Sequence, residues 1–185
     1  MITHPPAPAR PRAALLIVPL LAGAAVSVAL GVYGRAHGPT GVAVSLAGFS
    51  GAQAAKSWLA TGAAVLAVVQ LLSALVMYGK LGVRAPRGIG GLHRWSGRGA
   101  FLLAIPVAVH CLYALGFQSG EPRVLVHSLL GCAFFGAFTV KMLALRKDEL
   151  PGWALPLLGG TVFTLLVGLW LSASLWFFTQ PVPHF

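Results

Sequence analysis

Five runs of about twenty residues, rich in Ala, Val, Leu, Gly and Phe and carrying almost no charge, leave this chain few ways to fold. At about 1.5 Å of rise per residue, such a run crosses the roughly 30 Å of hydrocarbon in a bilayer. The runs cover about 13–33, 58–78, 95–117, 123–145 and 153–178. They predict an all-α integral membrane protein, a bundle of five transmembrane helices over 13–178 with tails at 1–12 and 179–185. Of 185 residues 57% are hydrophobic and 9% charged, a balance that excludes an ordinary soluble domain.

Connections follow from what lies between the runs. The Gly-rich segment 34–56 is long for a loop, and its part GVAVSLAGF is too short to span and lies in the interface or dips back. QSGEP and RKDELPG are short, so the helices they join are antiparallel.

Lys and Arg set the orientation, because cytoplasmic flanks carry the excess. Arg10, Arg12, Lys80, Arg84, Arg87, Arg94, Arg98, Lys141, Arg146 and Lys147 fall on one side, against Arg35, Lys56 and Arg123 on the other. This puts the N-terminus in the cytoplasm and the C-terminus outside, in a multi-pass protein of the bacterial plasma membrane. The net charge of +10 sits on helix flanks rather than on a soluble basic domain, so nucleic acid is not an expected partner and the lipid bilayer is. The first run is longer than a signal-peptide core and lacks a cleavage signature, which favours a retained helix.

Two histidines lie inside the apolar runs. His110 is seven residues before the end of the third run and His127 five residues after Pro122, which places both at similar depth in the outer half of the membrane. Wound at about 100° per residue, His127 shares its face with Gly131, Phe134, Phe138 and Lys141, and His110 shares its face with Pro106, Leu103, Gly99 and Ser96. Gly131 removes a side chain one turn from His127, where a flat macrocycle would approach, and Pro106 kinks its helix. Intramembrane histidines are functional hypotheses by default, and two at one depth on different helices suit axial ligation of one b-type haem. The alternatives are that each hydrogen-bonds a neighbouring helix or that they hold a copper ion. Two imidazoles with iron between them need more room than close-packed helices leave, so the third and fourth helices should be splayed or diagonal.

His93 lies seventeen residues before His110, about 100° off its face, and no inner histidine pairs with it. One haem is therefore expected. His93 caps or anchors the inner end of the third helix, or contacts a quinone or haem. His4 and His184 are in the tails and His37 in the outer loop.

LHRWSGR, HCLYALGF and VHSLLGCAFFGAFTVKM, within Gly90 to Met142, resemble the haem-binding helices of the cytochrome b and ferric-reductase-like superfamily. They are also similar to a small actinobacterial family of multi-helix membrane proteins. The resemblance covers about a third of the chain, and its HR..G and H...G motifs are short. It implies haem b held by His110 and His127, with electrons passing between a quinone, ascorbate-like or flavin donor and an acceptor. His93 matches the HR..G helix start. A fourth histidine is missing, which argues against a two-haem relay.

Other chemistry is sparse. Cys111 and Cys132 have no metal or disulfide spacing and read as apolar gap-fillers. Gln70 and Lys141 stand out among the remaining polar groups within the runs, and Lys141 can snorkel to the cytoplasmic side. The three acids, Glu121, Asp148 and Glu149, lie in turns and supply no ion pathway. The expectation is a membrane cytochrome near the outer face that exchanges electrons with a quinone or an extracytoplasmic redox protein. The rival is a haem-free accessory subunit whose small-residue helices, with ATGAAVLA and LLGGTVFTLLVG, pack into a larger membrane complex.

Overall fold

The computed structural model describes residues 12–42 and 48–181. The described residues form helices and connecting turns, with no strand. Five helices are long and apolar enough to cross a membrane: α1 (Ala13–Ala36), α2 (Ala52–Met77), α3 (Ile89–Leu115), α4 (Pro122–Ala144) and α5 (Ala154–Phe178). This is the architecture of a multi-pass membrane protein. Within hydrocarbon a helix meets its own backbone hydrogen-bonding demand, so long apolar runs have little alternative.

Two helices start earlier than hydropathy predicts. α2 begins at Ala52 instead of 58, and α3 at Ile89 instead of 95. Both added turns contain polar or charged residues that end an apolar run without ending a helix; Ala, Gln and Lys are good helix formers. The change matters for Lys56, which moves from a loop into the second turn of α2. The tails with His4, Arg10 and His184, and 43–47 of the expected interfacial segment, lie outside the described residues.

The helices pack antiparallel in the spatial order α1, α4, α5, α2, α3. The α1–α4 contact is backbone-close. A Cβ built on Gly23 would meet the carbonyl oxygen of Gly136 at 2.6 Å and the side chain of Val140, and one built on Gly136 would meet Ser27 and the Gly23 carbonyl. Ser27 Oγ then donates to the Cys132 carbonyl at 3.0 Å. Dispersion and such hydrogen bonds hold helices together where lipid removes most of the hydrophobic drive. Trp170 Nε1 donates to Thr61 Oγ1 at 2.9 Å, tying α5 to α2. Ala67, Phe134 and Leu166 form the buried middle of the bundle.

α3 and α4 are joined by a short turn yet stand apart for much of their length. They meet at mid-bundle, where the Phe101 and Phe138 rings stack at 4.2 Å with 7° between their planes. The loops carrying Lys80, Arg84, Arg87, Arg146 and Lys147 mark one end, the basic end. Toward the opposite end, above the phenylalanine stack, a cavity opens between the helices. There α3 stops at Gly116, whose φ of +70° suits glycine. The chain leaving α1 folds over that stop: Thr40 and Gly41 donate their N–H groups to the Tyr113 and Ala114 carbonyls, and Phe117 donates to Gly34. These bonds satisfy carbonyls that a helix end otherwise leaves bare.

Candidate functional site

The main cavity has a volume of about 240 Å³, and all five helices contribute to its wall. A smaller one of about 90 Å³ adjoins it toward the bundle middle, and the two share Lys56, Ala108, Cys111, His127, Gly131, Phe135 and Ala173. Together they reach the low end of the range for small-molecule sites, about 300–1,000 Å³. The wall is mainly apolar, with Leu30, Leu112, Phe135 and Trp176, and its polar groups gather toward the end away from the basic loops: Gln53, Lys56, Gln118, Arg123, His127 and Ser128.

His127 is the best-defined of these. Its Nδ1 lies 2.9 Å from Ser172 Oγ on α5. Ser172 Oγ also lies 2.8 Å from the Gly168 carbonyl and 3.1 Å from the Leu169 carbonyl. With its one proton on either carbonyl its oxygen accepts from Nδ1–H, and the Nε2 lone pair is then the one open to a ligand, the arrangement by which an outer hydrogen bond orients a metal-binding imidazole. Arg123, one turn before, donates from Nη1 to the Ser172 carbonyl at 2.7 Å, and its guanidinium lies 3.9 Å over the Trp176 ring.

Ser172 belongs to a widened, π-helical stretch of α5, Leu171–Leu175; α3 has another, His110–Leu115. Both border the cavity. Such stretches are uncommon and recur at functional sites.

The face of α3 expected to be inner, that of His110, is not the one that lines the cavities: Ala104, Val107, Ala108, Cys111, Leu112 and Leu115 do, at the three- and four-residue spacing of one face of a regular helix. His110 is half-buried, one position around the helix from Cys111, outside both walls. The structure therefore brings His127 and Cys111 to one cavity and leaves His110 beside it. Both cysteines are free thiols, and Cys132 also lines the main cavity. No group of three or more His, Cys, Asp or Glu gathers as a metal site among the described residues.

The other expected site residues divide. Gly131 is in the wall, and a Cβ there would meet only Leu169, at 3.9 Å, so protein packing does not demand glycine. Phe134 is a core residue that touches only the smaller cavity, while Phe138 is occupied by its stack on Phe101 beneath the site. His93 is far down α3 at the basic end. Its Nδ1 lies 3.0 Å from Ser73 Oγ and 3.1 Å from the Gln70 carbonyl, a link between α2 and α3 that fits the anchoring expectation. His37 follows α1, with its ring between those of Tyr33 and Tyr113 at 5.1 and 5.2 Å.

Sequence reasoning passed over Lys56, Arg123, Ser172 and Trp176 as parts of a site. A helix extended upstream through the Ala-rich AQAAK would have exposed Lys56 as intramembrane; nothing local marks Ser172, which matters only because α5 lies against α4.

Fold and cavity together define a five-helix protein of the multi-pass membrane class with a ligand-sized site near one end. Residues 16–184 match the family of unknown function DUF6529, and the chain belongs to that family. No curated protein and no solved structure matches the chain.

Proposed function

We propose that this protein is a membrane electron-transfer subunit that holds one b-type haem in the cavity between α3 and α4. The observation that carries the reading is His127, presented in the cavity wall with Nδ1 engaged by Ser172 and Nε2 free. The surroundings fit. Gly131 leaves its stretch of wall open, Phe135 and Leu112 supply apolar contact, and the gap between α3 and α4 would leave room for a haem held from both helices. His110 would be the second ligand; it stands one position around α3 from the lining Cys111, and a turn of that helix by about 100° would bring it to the cavity.

Bound haem supplies reversible one-electron chemistry; the chain orients and shields it. Ser172 fixes the His127 ring, and the Phe101–Phe138 stack closes the floor. The Lys and Arg asymmetry supports an N-terminus in the cytoplasm and a cavity near the extracytoplasmic face of a bacterial plasma membrane. A cofactor there leaves much of the bilayer uncrossed, so the natural partners are a quinone or an extracytoplasmic redox protein.

The test is a dithionite-reduced minus oxidised spectrum of detergent-purified protein expressed with haem, with a pyridine haemochrome assay for stoichiometry. One haem per chain, lost in His127→Ala and in His110→Ala while both stay folded, is the expected result. A folded protein without haem, or an unchanged band in His127→Ala, refutes it. One observation favours a haem-free accessory role instead. Gly159 and Gly160 on α5 have no neighbour within 4 Å of a built Cβ, an open small-residue patch of the sort that receives a partner helix.

A further inference from the structure

Lys56 is the charged group that the haem-ligation reading leaves unused. It stands in the second turn of α2, half-buried, and lines both cavities. A cation in apolar surroundings is costly unless an anion meets it. The chain has three acidic residues, and among the described residues no carboxylate lines either cavity. Glu121 is exposed and turned to Arg123, whose Nη2 is 4.0 Å from its carboxylate, while Asp148 and Glu149 lie in the turn after α4 at the basic end.

Arg123 adds a second cation to the same wall. Its Nη1 is spent on Ser172 and its face on Trp176, but a guanidinium has five N–H donors and keeps others for a ligand. Two cations, Gln53 and Gln118 stand with Ser128 and His127 toward one end of a space whose other walls are mainly apolar. That pattern selects a molecule with an apolar body and an acidic edge.

We infer that Lys56, with Arg123 beside it, is the carboxylate-binding end of this cavity, and that the ligand is an apolar molecule bearing carboxylate groups. Two sources share that chemistry: the propionates of a haem, in which form the inference rests on the proposed function, and the head of a long-chain fatty acid. Held this way, the acidic edge points to the end of the bundle away from the basic loops, and the apolar body lies against His127, Gly131 and Phe135.

The experiment titrates the full-length protein in a non-ionic detergent with haemin and haemin dimethyl ester, then with a long-chain fatty acid and its methyl ester. Wild type is compared with Lys56→Gln and Lys56→Arg. In wild type the acid form of the ligand binds about 10- to 100-fold more tightly than the ester, the worth of a charge-assisted hydrogen bond. Lys56→Gln removes most of that preference without changing ester affinity, and Lys56→Arg keeps it. Melting of the ligand-free proteins separates binding loss from misfolding, since removing an unpaired cation leaves the melting temperature unchanged or raises it.

Failures of the two readings are distinguishable. If the porphyrin acid and ester bind equally, or the preference survives in Lys56→Gln, the carboxylate site is overturned and haem ligation stands. If no porphyrin binds while the fatty acid shows the Lys56-dependent preference, haem ligation is overturned and the carboxylate site stands. Binding of neither acid overturns both.

Discussion

Replacing Gly136 by alanine puts a methyl group where α1 and α4 touch backbone to backbone. The new Cβ would stand 2.6 Å from the Gly23 carbonyl oxygen and collide with the Ser27 side chain. Ordinary contact begins near 3.4 Å, so the helices must separate by most of an ångström. Neither neighbour can yield cheaply, because one is main chain and the other donates to the Cys132 carbonyl at 3.0 Å. Overpacking of this kind costs about 1–3 kcal/mol, and a weakened Ser27 hydrogen bond adds up to about 1 kcal/mol. Better helix propensity of alanine returns about 0.5–1 kcal/mol. The net loss, about 1–3 kcal/mol, corresponds to a fall of about 3–10 °C in the melting temperature of a chain this size. Thermal unfolding in detergent, followed by tryptophan fluorescence, measures it. Gly160→Ala is the control: nothing stands within 4 Å of its built Cβ, so its melting temperature is unchanged or raised. If Gly136→Ala melts with the control, α1 and α4 are not in backbone contact and the packing order described above is wrong.

Three further outcomes follow from the same geometry. Ser172→Ala removes the hydrogen bond at 2.9 Å that orients His127, and should weaken haem binding by about 10- to 100-fold in a spectral titration while the protein stays folded; unchanged affinity would mean that the ring is oriented by something else. Thr61→Val and Trp170→Phe each break the 2.9 Å bond between α2 and α5, costing about 1 kcal/mol apiece, and the double variant should cost little more than either one in a double-mutant cycle. His93→Ala should lower stability through its lost contacts to Ser73 and Gln70 yet leave any haem band in place; a vanished band would move the haem toward the basic end.

Much of the fold was legible because hydrocarbon is an undemanding reader. A run of about twenty apolar residues has to be a helix if it is to cross the bilayer, and so five spans and their alternating direction follow from hydropathy alone. His127 and Gly131 were legible for a similar reason: a histidine in such a run is out of place, and a glycine one turn away is a local relation that helical winding preserves. α4 is regular from Pro122 to Ala144, so winding it on paper keeps His127 and Gly131 on one side, although the main cavity meets Phe135 in place of Phe134 and Phe138.

On α3 the same arithmetic fails for want of one fact, which face is inward. Taking the histidine as the mark of that face chose His110, whereas the packing of the bundle turns Ala104, Ala108 and Cys111 to the cavities and sets His110 aside. Lys56 was hidden by the same method that found the spans, since hydropathy ends a run at a charge while the helix continues through it. The linear order of residues thus determines how many helices there are, roughly where they run and that two histidines sit within them. It cannot determine which helices become neighbours. That α5 brings Ser172 to His127, that α2 brings Lys56 to the same cavity, and that α1 closes on α4 through two glycines are relations between residues 45, 71 and 113 positions apart. Contacts of that separation are selected by the packing of all five helices at once, and so they exist only in the assembled bundle.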